Sequence, residues 1–186
     1  MVQQITTEYN RFVSLLSSKM LTDKQLVYLH NSVLIPMVEY KMQVTPFTEV
    51  QCNSVVRKYR MLLKKKLSLI KSMPNIALHD SHGYNLVDLF AYQQQCQIAT
   101  LTHLLNSYSK AGDIYRLRLK ILQQDLWIPF SPIGITDWSP WLKSSHFIRD
   151  IIARSLHMAS TLNISFNKHS HNDLLVKGGS IPLINI

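Results

Sequence analysis

The chain of 186 residues is long enough to bury a hydrophobic core. Its composition, with 46% hydrophobic and 17% charged residues, excludes global disorder. A formal net charge of +9 favours a polyanionic partner, because positive potential attracts phosphate-rich polymers. A basic protein that binds nothing acidic is the alternative. Two cysteines, Cys52 and Cys96, are too few for a disulfide framework or a zinc knuckle.

Targeting signals are not evident in the sequence. The first twenty residues lack a basic region followed by an apolar run, and no run of about 18 apolar residues occurs anywhere. We therefore expect a cytoplasmic or nuclear protein with no membrane partner.

Helical periodicity runs along most of the chain, and the predicted class is all-α. Apolar residues recur at spacings of three, four and seven, and the five glycines leave room for long helices. The predicted helices, in chain order, cover residues 2–20, 22–43, 45–69, 86–106, 113–126 and 141–162.

Several of these helices carry start signals in the sequence. Thr22 and Gln25 form a capping-box pair at the start of the second helix. Pro36 lies inside that helix and predicts a kink, because proline removes a backbone donor. Pro46 predicts the start of the third helix, since the missing N–H costs nothing in the first turn.

Composition changes after residue 126. The stretch 127–140 contains three prolines, one glycine and few charges, which is typical of a linker. We therefore predict a helical domain over 1–126, a linker over 127–140, and a C-terminal helix and tail over 141–186. The architecture expected is a multi-helix bundle with a less regular C-terminal appendage.

Positive charge is concentrated in one segment. No Asp or Glu occurs between Glu49 and Asp80, so this segment supplies +7 and the rest of the chain only 13 − 11 = +2. At about 100° per residue, four of its cations fall within about 60° of one another on a helix. These four are Arg57, Arg60, Lys64 and Lys71. Lys66 falls on the apolar side, so either the helix ends near Lys65 or this lysine snorkels.

Phosphate contact is the function that this segment favours. The predicted nucleic-acid-binding residues are Arg57, Lys58, Arg60, Lys64, Lys65 and Lys71. A solvated basic face without a ligand is the alternative. Phe47, Tyr59 and Tyr84 could stack on bases, but we expect them to pack in the core.

Catalytic constellations are missing from the sequence. The 11 acidic residues are scattered, with no Asp-Asp pair, no Asp-x-Asp and no Gly-rich phosphate loop. Next to the basic segment, His79-Asp80-Ser81-His82 is better explained as a turn held by the Asp80 and Ser81 side chains than as a metal site. We therefore expect no enzymatic activity, no metal and no cofactor.

The segment from Leu21 to Tyr40 reads LTDKQLVYLHNSVLIPMVEY and ends in the signature N-x-V-L-I-P-x-x-E-Y. It is followed by a basic helix, a Met-Pro-Asn helix start at residues 73–75 and a His/Gly turn at 79–84. In this order the elements resemble the region that follows the palm domain in LINE-type (non-LTR) retrotransposon reverse transcriptases. The similarity covers about residues 5–107.

The resemblance implies that residues 1–126 form a thumb with the start of the connection beyond it. The thumb is a helical bundle that grips a primer–template duplex, RNA–DNA or DNA, through its backbone. The resemblance assigns phosphate contacts to Arg57, Arg60, Lys64 and Lys65. The family's aromatic-x-Asp-Asp catalytic motif is not among the 186 residues, so we expect no polymerase activity. A face including Met20, Val33 and Met37 is expected to be exposed, and to self-associate or meet the missing palm domain.

A protein–protein interaction module is the alternative function. In that case the basic segment would meet an acidic protein partner. Exposed tryptophans at positions 127, 138 and 141 would then anchor the interface.

Overall fold

A computed structural model describes residues 2–143 and 150–166, and every regular element within them is helical. The all-α class is therefore confirmed. A π-helical segment (His30–Leu34) joins the second helix to the third, and a 3-10 turn covers Pro132–Gly134. The α-helices are α1 (Val2–Ser17), α2 (Asp23–Leu29), α3 (Ile35–Val44), α4 (Glu49–Lys66), α5 (Ile76–His79), α6 (Leu89–Asn106), α7 (Lys110–Asp125) and α8 (Ile151–Thr161).

Backbone contacts divide the chain into two compact units, Met1–Gln93 and Gln94–Ile186. The division predicted at residues 126 and 140 stays a prediction. The part of the predicted appendage from residue 167 onward lies outside the described residues. Among the described helices, none combines the length and the apolar character needed to cross a membrane.

Two capping boxes start helices in the first unit. The Thr22 hydroxyl accepts from the Gln25 backbone N–H while the Gln25 side chain accepts from the Thr22 N–H, which confirms the predicted start of α2. Thr48 and Gln51 make the same reciprocal pair at α4. The predicted start at Pro46 is therefore wrong, because the hydrogen bonds of the Thr48 box fix the first helical residue at Glu49.

Pro36 lies inside the continuous helical run formed by α2, the π-helical segment and α3, as the sequence predicts. It lies in the first turn of α3, directly after the π-helical segment, and the Ile35 N–H donates to the His30 carbonyl five residues earlier. The wider π turn precedes the proline, whose missing N–H would otherwise interrupt an α-helical ladder. A proline and a π turn are both places where helices bend, so the kink predicted at Pro36 stays a prediction.

Three later helices begin at side-chain caps. Asp88 accepts from the backbone N–H groups of Phe90 and Ala91, both at 2.9 Å, so α6 begins at Leu89 and not at residue 86. Ser109 caps α7 and moves its start from residue 113 to Lys110. Asp150 caps α8 at Ile151, whereas residues 144–149 of the predicted 141–162 helix lie outside the described residues.

The core of the first unit is formed by α1 to α6 and includes Tyr9, Leu26, Val38, Phe47 and Tyr59. Phe47 and Tyr59 are fully buried, which confirms that they pack in the core and do not offer surfaces for base stacking. The Tyr59 hydroxyl donates to the Leu26 carbonyl at 2.6 Å. This bond fixes α4 against α2.

The two polar positions of the N-x-V-L-I-P-x-x-E-Y signature hold a distant part of the chain. The Asn31 side chain donates to the Asn85 carbonyl and accepts from the Val87 N–H, both at 2.9 Å. Glu39 accepts from the Tyr92 hydroxyl at 2.8 Å. The signature helix and the segment after the His/Gly turn are thus joined by side-chain hydrogen bonds.

A second core lies in the second unit. It contains residues from the stretch predicted as a linker, namely Ile128, Ile135 and Trp138. Trp138 is 2% exposed and Trp141 is half-buried, so the expectation of exposed tryptophans is wrong for Trp138. Only Trp127 of the three is largely exposed. These apolar side chains pack on α7 and α8 because burial removes their surface from water.

The expected apolar face in the first unit is found in part. Met20 is fully exposed and Val33 is 39% exposed, whereas Met37 is half-buried and packs against the core. Other exposed apolar side chains of this unit lie on separate helices: Leu15 on α1, Tyr28 on α2, Tyr40 on α3 and Met61 on α4.

Candidate nucleic-acid interface

Helix α4 carries most of the basic segment and is amphipathic. Val55, Tyr59 and Leu63 face the core. The helix ends at Lys66, and the Lys66 ammonium reaches back to the Lys19 carbonyl at 2.8 Å. This ending agrees with the first of the two alternatives left open for Lys66.

Four of the six predicted binding residues are exposed: Arg57, Lys58, Lys65 and Lys71. No acidic side chain among the described residues forms an ion pair with any of them. Lys58 and Lys65 are seven residues apart and so project from the same side of α4, about 10 Å apart along its axis. Met61, 55% exposed, lies between them and was not singled out by the sequence.

Arg60 is not part of this exposed surface. It is 7% exposed, and its guanidinium donates to the Asn53 side-chain oxygen at 2.6 Å and to the Asn53 carbonyl at 3.2 Å. Burial lowers the pKa of Arg60, and the nearby Asp88 carboxylate partly offsets this. The guanidinium is thus bonded to Asn53, two turns earlier on α4.

Lys64 is also buried, with 8% of its surface exposed. Its ammonium donates to the Met73 carbonyl at 2.5 Å and to the Lys71 carbonyl at 3.5 Å. These bonds tie residues 71–73 to the side of α4. Lys64 therefore fixes the backbone that carries Lys71. The sequence predicted a solvent-facing Lys64, whereas the structure buries it.

The predicted stripe of cations is not a single helix face. Lys71 lies beyond the end of α4, and the chain turns at Ser68, which has a positive φ of 54°. The returning segment covers α4 at Lys64, whereas Arg60 lies beside His79, Asp88 and Phe90. The exposed cations that remain are Arg57, Lys58, Lys65 and Lys71, hereafter the basic cluster.

The helix dipole explains part of the positive charge at the end of α4. The last turn of α4 contains Lys64, Lys65 and Lys66, and cations near a helix C-terminus interact favourably with the helix dipole. That interaction accounts for a basic helix end. It does not account for Arg57 and Lys58, which lie two turns earlier.

The His/Gly turn behaves as a turn, as predicted. The Asp80 carboxylate accepts from the His82 N–H at 2.7 Å, and the Asp80 carbonyl accepts from Gly83 and Asn85. A Cβ on Gly83 would lie 2.7 Å from the Ala77 carbonyl oxygen, so the close approach requires glycine. His79 donates through Nδ1 to the Leu86 carbonyl at 2.7 Å.

In residues 2–143 and 150–166, no three His, Cys, Asp or Glu side chains are grouped as metal ligands would be.

The arrangement of the basic cluster is suited to binding an anion. Its exposed groups are ammonium and guanidinium cations, which donate hydrogen bonds and attract phosphate oxygens. No family model, curated protein or solved structure matches the chain.

Proposed function

We propose that the chain is a non-catalytic nucleic-acid-binding module whose basic cluster contacts backbone phosphates. The observation that carries the proposal is the exposure of Arg57, Lys58, Lys65 and Lys71 in a segment that has no acidic residue between Glu49 and Asp80. Unneutralised cations on one surface attract a phosphate chain and release its counterions.

The resemblance to LINE-type reverse transcriptases supports the same partner. A thumb-like module of that kind would hold a primer–template duplex, RNA–DNA or DNA, through its backbone and would leave polymerisation to a palm domain. Within this proposal, Arg60 and Lys64 position the cluster and do not contact phosphate.

Salt dependence follows from the number of exposed cations. Each neutralised phosphate of B-DNA contributes about −0.9 to the slope of log K against log salt, so four contacts give a slope of about −3.6. Affinity should then fall about 100-fold between about 50 and 200 mM salt. Sequence preference should be weak, because phosphate contacts carry no base information.

Fluorescence anisotropy with a labelled RNA–DNA hybrid tests the proposal. Changing Arg57, Lys58, Lys65 and Lys71 together to Glu should abolish binding at about 50 mM salt. Each of these side chains is exposed, so circular dichroism should show an unchanged helix content. Retained binding in this variant would refute the assignment of the cluster.

A matched pair of double variants separates the cluster from net charge. Lys58→Gln with Lys65→Gln removes two charges from one side of α4, whereas Arg11→Gln with Lys143→Gln removes two exposed charges elsewhere. We expect only the first pair to reduce the salt slope, by about 2. Equal losses in both pairs would indicate a general charge effect.

The interaction-module alternative predicts a different competition result. An acidic protein partner would displace nucleic acid from the same cations, and binding to a polyglutamate peptide would match binding to the hybrid at equal charge. Preference for the hybrid over polyglutamate favours the phosphate partner.

A further inference from the structure

Helix α7 has an exposed apolar face. Ile114, Leu117 and Ile121 are 56%, 59% and 46% exposed, whereas Leu119 and Leu122 are buried in the second core. At about 100° per residue the three exposed residues fall within about 60° of one another, on the side away from that core. A contiguous patch of exposed aliphatic side chains marks an interaction site, whereas exposed aliphatic residues scattered singly need no explanation.

Charged residues extend this face at both ends and at its centre. Lys110, Arg118 and Asp125 are exposed and lie in the same sector of the helix, within about 100° in all. None of the three forms an ion pair within the described residues. From the N-terminal to the C-terminal end of α7, this face carries Lys110, Ile114, Leu117 with Arg118, Ile121 and Asp125.

The isoleucines and the two end charges of this face are self-complementary when a second copy runs antiparallel. Pairing the two helices about the midpoint between Leu117 and Arg118 places Ile114 opposite the second copy's residue 121 and Lys110 opposite its residue 125. At the centre Leu117 faces residue 118, whose aliphatic stem packs against it while the guanidinium stays in solvent. By symmetry each aliphatic contact and each ion pair then occurs twice, as a two-fold interface requires. A parallel pairing would place like charges together at both ends.

Helix-end charges point to the same pairing. Lys110 is the first residue of α7 and Asp125 the last, so each has the sign that the helix dipole disfavours at its own end. In the antiparallel pair, Lys110 meets the negative end of the second helix, and Asp125 meets the positive end. The unfavourable placement within one chain thus becomes favourable between two.

We propose that α7 is a dimerisation helix, whose face of Lys110, Ile114, Leu117, Arg118, Ile121 and Asp125 pairs antiparallel with the same face of a second copy of this chain. Three aliphatic side chains on each helix bury less surface than the roughly 1,200–2,000 Å² of a stable interface. The dimer is accordingly weak, with a Kd of roughly 0.1 mM.

Sedimentation velocity between about 5 and 500 µM, a range that brackets this Kd, tests the proposal. Ile114→Lys with Ile121→Lys should raise the Kd more than about tenfold, a change of about 1.4 kcal/mol or more. Ile76→Lys is the matched control, since Ile76 is 77% exposed and lies outside α7, and it should leave the Kd unchanged. A wild-type chain that stays monomeric throughout the range overturns the proposal.

A charge swap tests the complementarity. Lys110→Asp places two carboxylates opposite each other at both ends and should raise the Kd about tenfold. Adding Asp125→Lys to the same chain restores both pairs and should recover the wild-type Kd. Failure of the second change to recover dimerisation would refute the pairing.

Disulfide crosslinking tests the direction. A mixture of Ile114→Cys chains and Ile121→Cys chains should crosslink under mild oxidation, because these positions face each other in the antiparallel pair. Each variant alone should crosslink no more than the wild type, in which Cys52 is buried and Cys96 is half-buried. Crosslinking of each variant alone, or none in the mixture, would overturn the antiparallel arrangement.

Discussion

Acidification should destabilise the first unit through His30, which is fully buried at the start of the π-helical segment. Its ring lies between Tyr9 of α1, with centroids 6.3 Å apart, and Tyr59 of α4, with centroids 5.1 Å apart. Nδ1 lies 3.1 Å from the Asn31 side-chain oxygen, whereas Nε2 has no hydrogen-bond partner. The neutral ring fits this site, and the imidazolium would carry a buried N–H without an acceptor.

Burial therefore lowers the pKa of His30 to about 4. The hydrogen bond from Nδ1 to Asn31 and the Asp88 carboxylate favour the protonated form, while His79 and Arg60 disfavour it. In the unfolded chain a histidine has a pKa of about 6.5. As the pH falls, the unfolded state takes up a proton first, so stability is lost from about pH 6.5 down to about pH 4.

The size of the effect follows from the two pKa values. A difference of about 2.5 units corresponds to about 3 kcal/mol once both states are protonated. Between pH 7 and pH 5, where only the unfolded state binds the proton, the free energy of unfolding should fall by about 2 kcal/mol through His30 alone.

Urea unfolding at pH 7 and pH 5 measures this quantity when wild type is compared with His30→Gln. The variant should be less stable at pH 7, because its side chain fits the cavity less well, but its stability should decline less with acid by about 2 kcal/mol. His82→Gln is the control, since it removes one histidine whose side chain is 97% exposed. An equal pH dependence in wild type and His30→Gln would refute the assignment to His30.

Three further changes test individual hydrogen bonds by the free energy of unfolding or by exchange. Gln93→Leu should cost about 2 kcal/mol or more in urea unfolding, because the buried Gln93 amide satisfies both the N–H and the carbonyl of Phe47. Asp88→Ala should cost about 1 kcal/mol, because it removes the cap of α6. Lys64→Met should raise hydrogen exchange at residues 71–73 more than elsewhere, since it removes the bond to the Met73 carbonyl; uniform exchange would contradict the role of Lys64.

Local signals in the sequence predict much of the helical order. The Thr22 capping box fixes the start of α2 because all of its partners lie within four residues. The start of α4 was mispredicted because Pro46 and Thr48 offer competing starts, and the reciprocal bonds of Thr48 and Gln51 decide between them. Reciprocal capping is thus a stronger signal than a proline that merely tolerates the first turn.

The surface of α4 could not be predicted in the same way. An angular argument treats the helix as isolated and finds Arg57, Arg60 and Lys64 on adjacent positions. Whether Lys64 reaches solvent depends on the segment that returns along α4 after Ser68, and whether Arg60 does depends on the residues around His79 and Asp88; both are tertiary features. The roles of Asn31 and Glu39 were hidden for the same reason, since their partners lie more than fifty residues away.

The burial of Arg60 and Lys64 changes what a salt titration should measure. Six phosphate contacts, one from each residue predicted by the sequence, would give a slope of about −5.4 for B-DNA, whereas the four exposed cations give about −3.6. The difference of nearly two is larger than the error of a careful titration over about a tenfold range of salt. A slope near −5.4 would mean that nucleic acid draws Arg60 away from Asn53 and Lys64 away from Met73. The second change would require the returning segment to leave α4 on binding. A slope near −3.6 would mean that the folded surface binds as it stands, with the two buried cations acting only on the backbone that carries the others.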